Sequence, residues 1–251
     1  MSRIGWIRLA VLVALVALLE ILVRTGRIPY KTMLPPSEML TALVRLLASG
    51  TATRDIVQTL TCVGAALASS VVMGFGLGVA IHRWQRLRRA LEPFFATYYA
   101  VPFFIFYPVL IAIFDLSLLP IILMGFAFAV IAMCIATING LDRVPRVLGK
   151  VAKIHRMREF DAALRMKLPA AAPHLFTGVK LCVAYSFIGV IASEFILAPS
   201  GLGHAIAYAY NDFDNRTMYA LMLFVLIVVI TVNMLLHGWE QRLVGRWTGG
   251  R

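Results

Sequence analysis

Few residues of this chain have the types and spacing that catalysis or nucleotide binding requires. Gly149 and Lys150 match the end of a phosphate-binding loop. That motif also needs a glycine where this chain has Val144, and a serine or threonine where it has Val151. The sequence therefore does not predict ATP binding by this device. The five histidines are scattered, and no two of them have the four-residue spacing of metal ligands on a helix.

The three cysteines, Cys62, Cys134 and Cys182, occur singly in different apolar runs. This pattern predicts neither a disulfide framework nor a metal cluster, and each cysteine is expected to pack as a small apolar side chain. An integral membrane enzyme would need several catalytic residues at one membrane depth, and the sequence offers no such cluster. We therefore predict no catalytic residue, no metal site and no cofactor.

Two ionisable residues lie inside an apolar run, where a charge is costly and often marks a transport path. Lys180 is expected to extend its amine inward toward the membrane surface. Glu194 lies one turn from the outer end of the same run, where it either faces an aqueous cavity or belongs to the interface. We take Glu194 together with Tyr98, Tyr99 and Ser186 as the candidate translocation path. The aromatic residues around Tyr98 also fit a packing role or a membrane belt.

The composition indicates that these residues are positioned by membrane-spanning helices. The chain is 61% hydrophobic and 14% charged, with a mean hydropathy of +0.84, whereas soluble domains are about 25% charged. Six apolar runs have roughly the 20 residues needed to cross about 30 Å of hydrocarbon. They lie near 6–23, 57–81, 92–114, 118–138, 174–197 and 217–236. We predict a single all-α polytopic domain over residues 1–251 with six transmembrane helices.

Residues 142–169, which we call the basic segment, are too charged for lipid. Three acidic residues, Asp142, Glu159 and Asp161, stand against eight basic ones: Arg143, Arg146, Lys150, Lys153, Arg156, Arg158, Arg165 and Lys167. Such an excess predicts a cytoplasmic loop. Its apolar residues recur at helical spacing, which predicts an amphipathic helix offered to a partner. They are Val144, Val147, Leu148 and Val151, then Met157, Phe160, Leu164 and Leu168.

The distribution of positive charge predicts the orientation. With both termini cytoplasmic, most of the 24 lysines and arginines fall on the inner side. The net charge of +12 is then explained by inner loops that face anionic lipid, and no nucleic-acid partner is predicted. In the second run, Gly74 and Gly78 form a GxxxG pair, which predicts close helix packing or, alternatively, a moving helix contact.

Four stretches occur in a recognisable order. Leu34-Pro35-Pro36-Ser37 follows the first run, the small-residue second run ends in basic residues, and Leu168-Pro169 closes the basic segment. Ala192-Ser193-Glu194 then precedes Ser200-Gly201-Leu202-Gly203. Over nearly its whole length the chain resembles the permease subunit of bacterial ABC importers, in the branch that handles nitrate, aliphatic sulfonates, taurine and related small solutes.

The resemblance implies a role for the basic segment. In that family the inner loop carries the EAA motif, then a glycine and a Leu-Pro, and the helix before the Leu-Pro docks into a groove on the ATPase subunit. Counting back from the Leu-Pro, the glycine falls on Arg156, and of the EAA motif only the last alanine is retained. The implied ATPase-coupling residues are Lys150, Val151, Ala152, Arg156, Met157, Phe160, Leu164, Leu168 and Pro169.

The resemblance also implies a type I importer fold in a bacterial inner membrane, with both termini cytoplasmic. The implied partners are a second permease copy, two cytoplasmic ATPase subunits that hydrolyse ATP, an external solute-binding protein and membrane lipid. The chain itself is then a transport subunit and not an enzyme. An ATP-independent secondary transporter or channel is the alternative, although such folds often contain inverted repeats and none is evident here.

Overall fold

A computed structural model of the chain describes residues 3–247, which form α-helices and no strand. The predicted all-α class is therefore confirmed. The α-helices are α1 (Arg3–Arg24), α2 (Pro36–Ser49), α3 (Thr53–Arg83), α4 (Gln85–Thr97), α5 (Tyr107–Phe114), α6 (Leu118–Asp142), α7 (Arg146–Ile154), α8 (Glu159–Ala162), α9 (Leu168–Leu197), α10 (Leu202–Asn211) and α11 (Asn215–Trp247). A π-helical turn, Ala163–Lys167, joins α8 directly to α9.

Among the described residues, four helical stretches are long and apolar enough to cross a membrane: Thr53–Arg83, Leu118–Asp142, Phe160–Leu197 and Asn215–Arg242. They coincide with the second, fourth, fifth and sixth predicted spans. The first predicted span is the helix α1, and its crossing of the membrane stays a prediction. Residues 1–2 and 248–251, at the two termini, lie outside the described residues.

The third predicted span, residues 92–114, is a broken helix pair instead of one straight helix. Gln85–Ala100 and Phe103–Phe114 are long and apolar enough to cross a membrane only when taken together, and their axes are bent by 86°. The break lies at Val101, which is extended with φ −80° and ψ 123°. Because Pro102 follows it, Val101 is sterically disfavoured in the helical region, and Pro102 has no N–H to continue the helix.

The described chain divides into two compact units. The first unit consists of the chain up to Gln58 together with Glu194–Val228, and the second of Thr59–Ser193 together with the chain from Val229 onward. The prediction of one permease domain over residues 1–251 stays a prediction.

In the first unit, the end of α2 packs with α10 and the beginning of α11. Leu202, Ile206 and Leu221 are buried together with Ala52, and Leu46 covers this cluster. The helix α2 begins with Pro36 at a position where no N–H is needed, and it ends at Gly50, whose φ is +70°. The helix α2 buries Met39 and Leu43 and leaves other apolar side chains, among them Leu40 and Val44, exposed.

In the second unit, α6 is packed between α3 and α9 with very close backbones. A Cβ added to Gly74 would lie 2.6 Å from the Val130 carbonyl oxygen, and one added to Gly78 would lie 2.6 Å from Thr137 Cβ. A Cβ on Gly189 of α9 would approach the Gly125 Cα to 2.7 Å. Only glycine permits such contacts, so the close-packing interpretation of the GxxxG pair is confirmed.

Candidate functional site

The basic segment begins with the amphipathic helix α7. Pro145 precedes the helix, and Ala152 is its buried residue. Val147 is exposed, and Ile154 at the end of the helix is 77% exposed. The helix predicted from Val144 to Val151 is confirmed, but its large apolar side chains are only partly covered by the chain itself.

The turn after α7 has a left-handed residue at Arg156, with φ +50°. The Met157 N–H donates to the Ala152 carbonyl at 3.0 Å, and the Arg156 N–H donates to the Lys153 carbonyl at 3.1 Å. This pair of hydrogen bonds is a Schellman motif, in which the left-handed position is usually glycine. The resemblance aligned a glycine with this same residue. The conformation is thus kept here by an arginine, at a cost of roughly 1–2 kcal/mol.

The next part of the basic segment carries the aromatic residue predicted to contact an ATPase. Phe160, in α8, is 76% exposed and Leu164, in the π-helical turn, is 53% exposed. Met157, Leu168 and Pro169 are half-buried. The predicted apolar face is therefore divided, with its centre exposed and its ends partly covered.

Positive charge surrounds these exposed apolar groups. The lysines and arginines from position 143 to position 158 are all exposed: Arg143, Arg146, Lys150, Lys153, Arg156 and Arg158. None forms an ion pair with another residue that the structure describes. The basic segment thus presents unpaired cations beside apolar side chains.

Three of the candidate path residues, Tyr98, Tyr99 and Ser186, lie in the second unit. Tyr98 is buried, and its hydroxyl donates to the Ala127 carbonyl at 2.5 Å. Tyr99 contacts Tyr98 edge-on and stacks on Tyr185 of α9, with ring centroids 5.1 Å apart and an angle of 18° between the planes. Ser186 is fully buried, and its hydroxyl has no hydrogen-bond partner among the described residues.

Glu194, the fourth candidate, belongs to the first unit and is fully buried. Its Oε2 accepts a hydrogen bond from the Gly203 N–H, in the first turn of α10, at 3.0 Å. Gly201 has φ +107°, and a Cβ there would lie 2.4 Å from the Glu194 carboxyl carbon. The Gly201 N–H donates to Asp55 Oδ1 at 2.9 Å. A carboxylate at the amino end of a helix is electrostatically favourable, so this geometry favours a structural role.

Comparison with known proteins decides which family these features belong to. The family described as binding-protein-dependent transport system inner membrane component matches residues 70–249. This chain belongs to that family. The basic segment, the candidate path residues and the Glu194 loop all lie within the matched region.

Several relatives of this permease family are similar in sequence. The nitrate import permease protein NrtB of Leptolyngbya laminosa is 28% identical over 175 residues, which is 70% of this chain and 63% of that protein. A probable ABC transporter permease protein of Brucella melitensis is 27% identical over 216 residues, covering 83% of this chain and 85% of the relative. The bicarbonate transport system permease protein CmpB of Synechococcus elongatus is 25% identical over 194 residues, or 76% and 68%.

Solved structures of the MetNI methionine ABC transporter in inward-facing conformations share the fold. Two crystal forms match with TM-scores of 0.64 and 0.67 at 16% and 17% identity, each covering 76% of this chain and 95% of the other. The type I permease fold implied by the sequence is therefore confirmed.

Sequence reasoning missed an ion pair at the carboxyl-terminal end of α6 in this permease. Arg88 of α4 donates to both carboxylate oxygens of Asp142, at 2.9 and 2.7 Å, and His82 Nδ1 lies 3.2 Å from the same carboxylate. Fork-shaped pairing of this kind fixes geometry as well as charge. It anchors the residue at which the basic segment begins. Because the partners are far apart in the sequence, no local pattern indicates this pair.

The sequence prediction for Lys180 was incomplete. Its amine forms an ion pair with Glu240 of α11, and His237 Nδ1 lies 3.3 Å from the same carboxylate. Lys180 and Glu240 are both largely shielded from solvent. The charge is therefore paired with a carboxylate of a neighbouring helix, and the expected extension of Lys180 toward the membrane surface stays a prediction.

Proposed function

We propose that this chain is the permease subunit of an ATP-driven importer for a small solute of the nitrate, sulfonate and taurine class. Two copies would enclose the path, an external binding protein would deliver the solute, and two cytoplasmic ATPase subunits would bind the basic segments. Family membership supports the importer over a secondary transporter or channel. The names of NrtB and CmpB indicate nitrate and bicarbonate as the solutes of those relatives. The solute of this chain would belong to that class or to the related sulfonates and taurine.

The observation that carries the proposal is the exposure of Phe160 in the middle of an unpaired cationic surface. An aromatic side chain that is 76% exposed gains nothing from the chain's own packing, and exposed apolar groups rimmed by polar residues mark interaction sites. Leu164 extends the same apolar surface. The helix that carries both residues continues into α9, so a partner bound there would act directly on a membrane-spanning helix.

The distance along this helix favours a protein partner over lipid. Phe160 precedes His174, the first residue of the predicted fifth span, by 14 positions, which is about 20 Å at 1.5 Å per residue. The headgroup layer on each side of the hydrocarbon is only about 5–8 Å thick. With α9 crossing the membrane, Phe160 would extend beyond the headgroups into the cytoplasm, where an ATPase subunit can cover it.

In this proposal the coupling residues have different roles. Phe160 and Leu164 would enter the groove of the ATPase, while Ala152 and Arg156 would hold the turn between α7 and α8 in place. Movement of the ATPases on ATP binding would then be carried by α8 to α9 and to the path. Such coupling needs two states that both sites bias.

For the path itself, we propose that Tyr98, Tyr99 and Ser186 lie along the route of the solute. Tyr99 keeps part of its ring exposed, and Ser186 has a hydroxyl free to bind a solute or a water molecule. Glu194 would support the path indirectly by holding α10. Both termini would be cytoplasmic, which places α2 and the loop before α11 on the outer side of the inner membrane.

Uptake into proteoliposomes tests the function. The permease is reconstituted with the ATPase and binding protein encoded beside its gene, and uptake of nitrate, bicarbonate and taurine is measured with and without ATP. We expect uptake of one of these solutes only when ATP and all subunits are present. Uptake by the permease alone, driven by a gradient and unaffected by ATP, would instead support a secondary transporter or channel.

A further inference from the structure

A cleft of the first unit lies between α2 and the beginning of α11 and has no role in the proposal above. Its volume is about 600 Å³, within the range of roughly 300–1,000 Å³ that is usual for small-molecule sites. The lining residues are Glu38, Thr41, Ala42, Arg45, Leu46, Ser49, Arg216 and Thr217. Those from α2 recur at intervals of three and four positions, so they form one stripe along the helix.

Hydrogen bonds hold the two walls of this cleft in place. The side-chain amide of Asn215 donates to the Lys31 carbonyl at 2.6 Å, and the Tyr219 hydroxyl donates to the Thr32 carbonyl at 2.6 Å. These bonds connect the first turns of α11 to the turn in the linker that leads into α2. Burial of Leu46 with the α10 and α11 side chains fixes the other end of α2. The cleft is therefore built by the fold and is not a gap between loose side chains.

The charges that line the cleft are unequal. Arg45 and Arg216 carry two guanidinium groups, and neither forms an ion pair or side-chain hydrogen bond with another described residue. The one carboxylate, that of Glu38, accepts a hydrogen bond from the Tyr30 hydroxyl. Thr41 and Ser49 donate their hydroxyl protons to carbonyls of α2, at 2.7 and 2.8 Å. The guanidinium groups are thus the charged donors of the cleft, and they have no partner among the described residues.

We propose that this cleft binds a small organic anion with a sulfonate or carboxylate head group. A guanidinium group presents paired N–H donors that match the oxygens of such a group. Ala42 and Leu46 offer an apolar floor for a short hydrocarbon part, and the volume exceeds what a bare inorganic anion would fill. This proposal rests on the proposed function in one respect, the placement of α2 on the outer side of the membrane. With that placement, the cleft would be a first binding site for the solute.

Titration of the purified permease in lipid nanodiscs with ethanesulfonate, at constant low chloride, tests this proposal. We expect saturable binding by calorimetry, weakened about tenfold in Arg45→Gln and in Arg216→Gln, since each loses one charge-assisted interaction. Arg54→Gln is the matched control, because Arg54 is an exposed arginine of the same unit outside the cleft. Ethanesulfonamide, the uncharged analogue, should not bind.

Three results would overturn the proposal. Ethanesulfonate could fail to saturate, the sulfonamide could bind equally well, or the double Arg45, Arg216 variant could bind like the parent protein. If ethanesulfonate does not bind but the double variant loses affinity for the external binding protein, the cleft receives an acidic side chain of that protein instead. Binding is measured without ATPase or uptake, so failure here is distinct from failure of the proposed importer function.

Discussion

The end of α9 around Glu194 and the basic segment differ in how their charged groups are satisfied. Glu194 is fully buried, its carboxylate accepts the Gly203 N–H, and Gly201 leaves no room for a Cβ beside it. In the basic segment, six cations are exposed without an ion-pair partner in the described chain, and Phe160 is exposed among them. The Glu194 carboxylate has a hydrogen-bond partner within the chain. The basic segment has exposed cations and apolar side chains, a composition that is typical of an interface.

This difference separates stability from coupling. A buried polar group that loses its hydrogen-bond partner lowers the free energy of unfolding by about 1–3 kcal/mol, and by more when it is charged. Changes at Glu194 should therefore act on the stability of the protein. Exposed cations are solvated by water and contribute little to folding, so substitutions in the basic segment should leave the fold intact and act on association. Each prediction below tests one side of this comparison.

The largest effect is expected from Glu194→Ala. This change leaves the Gly203 N–H without its acceptor and opens a cavity at the amino end of α10, and we expect a loss of about 3 kcal/mol in stability. A fall in the thermal midpoint of the purified permease would show it. Glu92→Ala, which removes an exposed carboxylate, is the control and should leave the midpoint nearly unchanged.

A second variant examines the same contact from the other side. Gly201→Ala places a Cβ against the Glu194 carboxyl and forces a left-handed φ on a residue with a side chain, so it should also lower the midpoint. If Glu194→Ala were instead to keep normal stability and lose only transport, Glu194 would belong to the aqueous path, and the comparison would fail on this side.

Phe160→Ala is expected to act on association alone. Buried aromatic anchors commonly cost about 2 kcal/mol or more when truncated in an interface, so copurification of the ATPase and solute-stimulated hydrolysis should fall while the thermal midpoint is kept. Phe213→Ala is the matched control, because Phe213 is 89% exposed and lies on the loop before α11. Normal ATPase yield with a lowered midpoint would mean that Phe160 packs against the permease itself.

Local sequence patterns predicted the positions of the helices well. Hydrophobic run length located the second, fourth, fifth and sixth predicted spans, because burial in hydrocarbon depends on composition, which the sequence shows directly. The break at Val101 was missed, although Pro102 in the sequence indicates it. The length of an apolar run depends only on hydrophobicity and does not take into account that proline lacks an N–H. The left-handed residue at Arg156 was indicated only through alignment with a family glycine, since an arginine gives no sign of a positive φ.

Long-range pairings were beyond prediction. Nothing near Arg88 indicates Asp142, and nothing near Lys180 indicates Glu240, because each pair depends on which helices pack together. The same reason explains Glu194. Its position one turn from the end of a span fitted both an aqueous and an interfacial role, and only the folded loop places the Gly203 N–H against it. The π-helical turn between α8 and α9 likewise has no sequence signal that we can name.

The smallest effect is expected from reversing one rim charge, Lys150→Glu. Lys150 is exposed on α7 and unpaired within the described chain, and a single exposed ion pair in an interface contributes little. Rim charges act mainly on the association rate and its salt dependence. We therefore expect ATPase association to weaken about two- to fivefold at low salt and to match the parent protein at high salt, where exposed charges are screened.

Lys31→Glu, an exposed lysine in the linker before α2, is the control and should change nothing at either salt concentration. A loss of association that is equal at low and high salt would mean that Lys150 acts through the conformation of α7, and the basic segment would then contribute shape instead of charge to the interface.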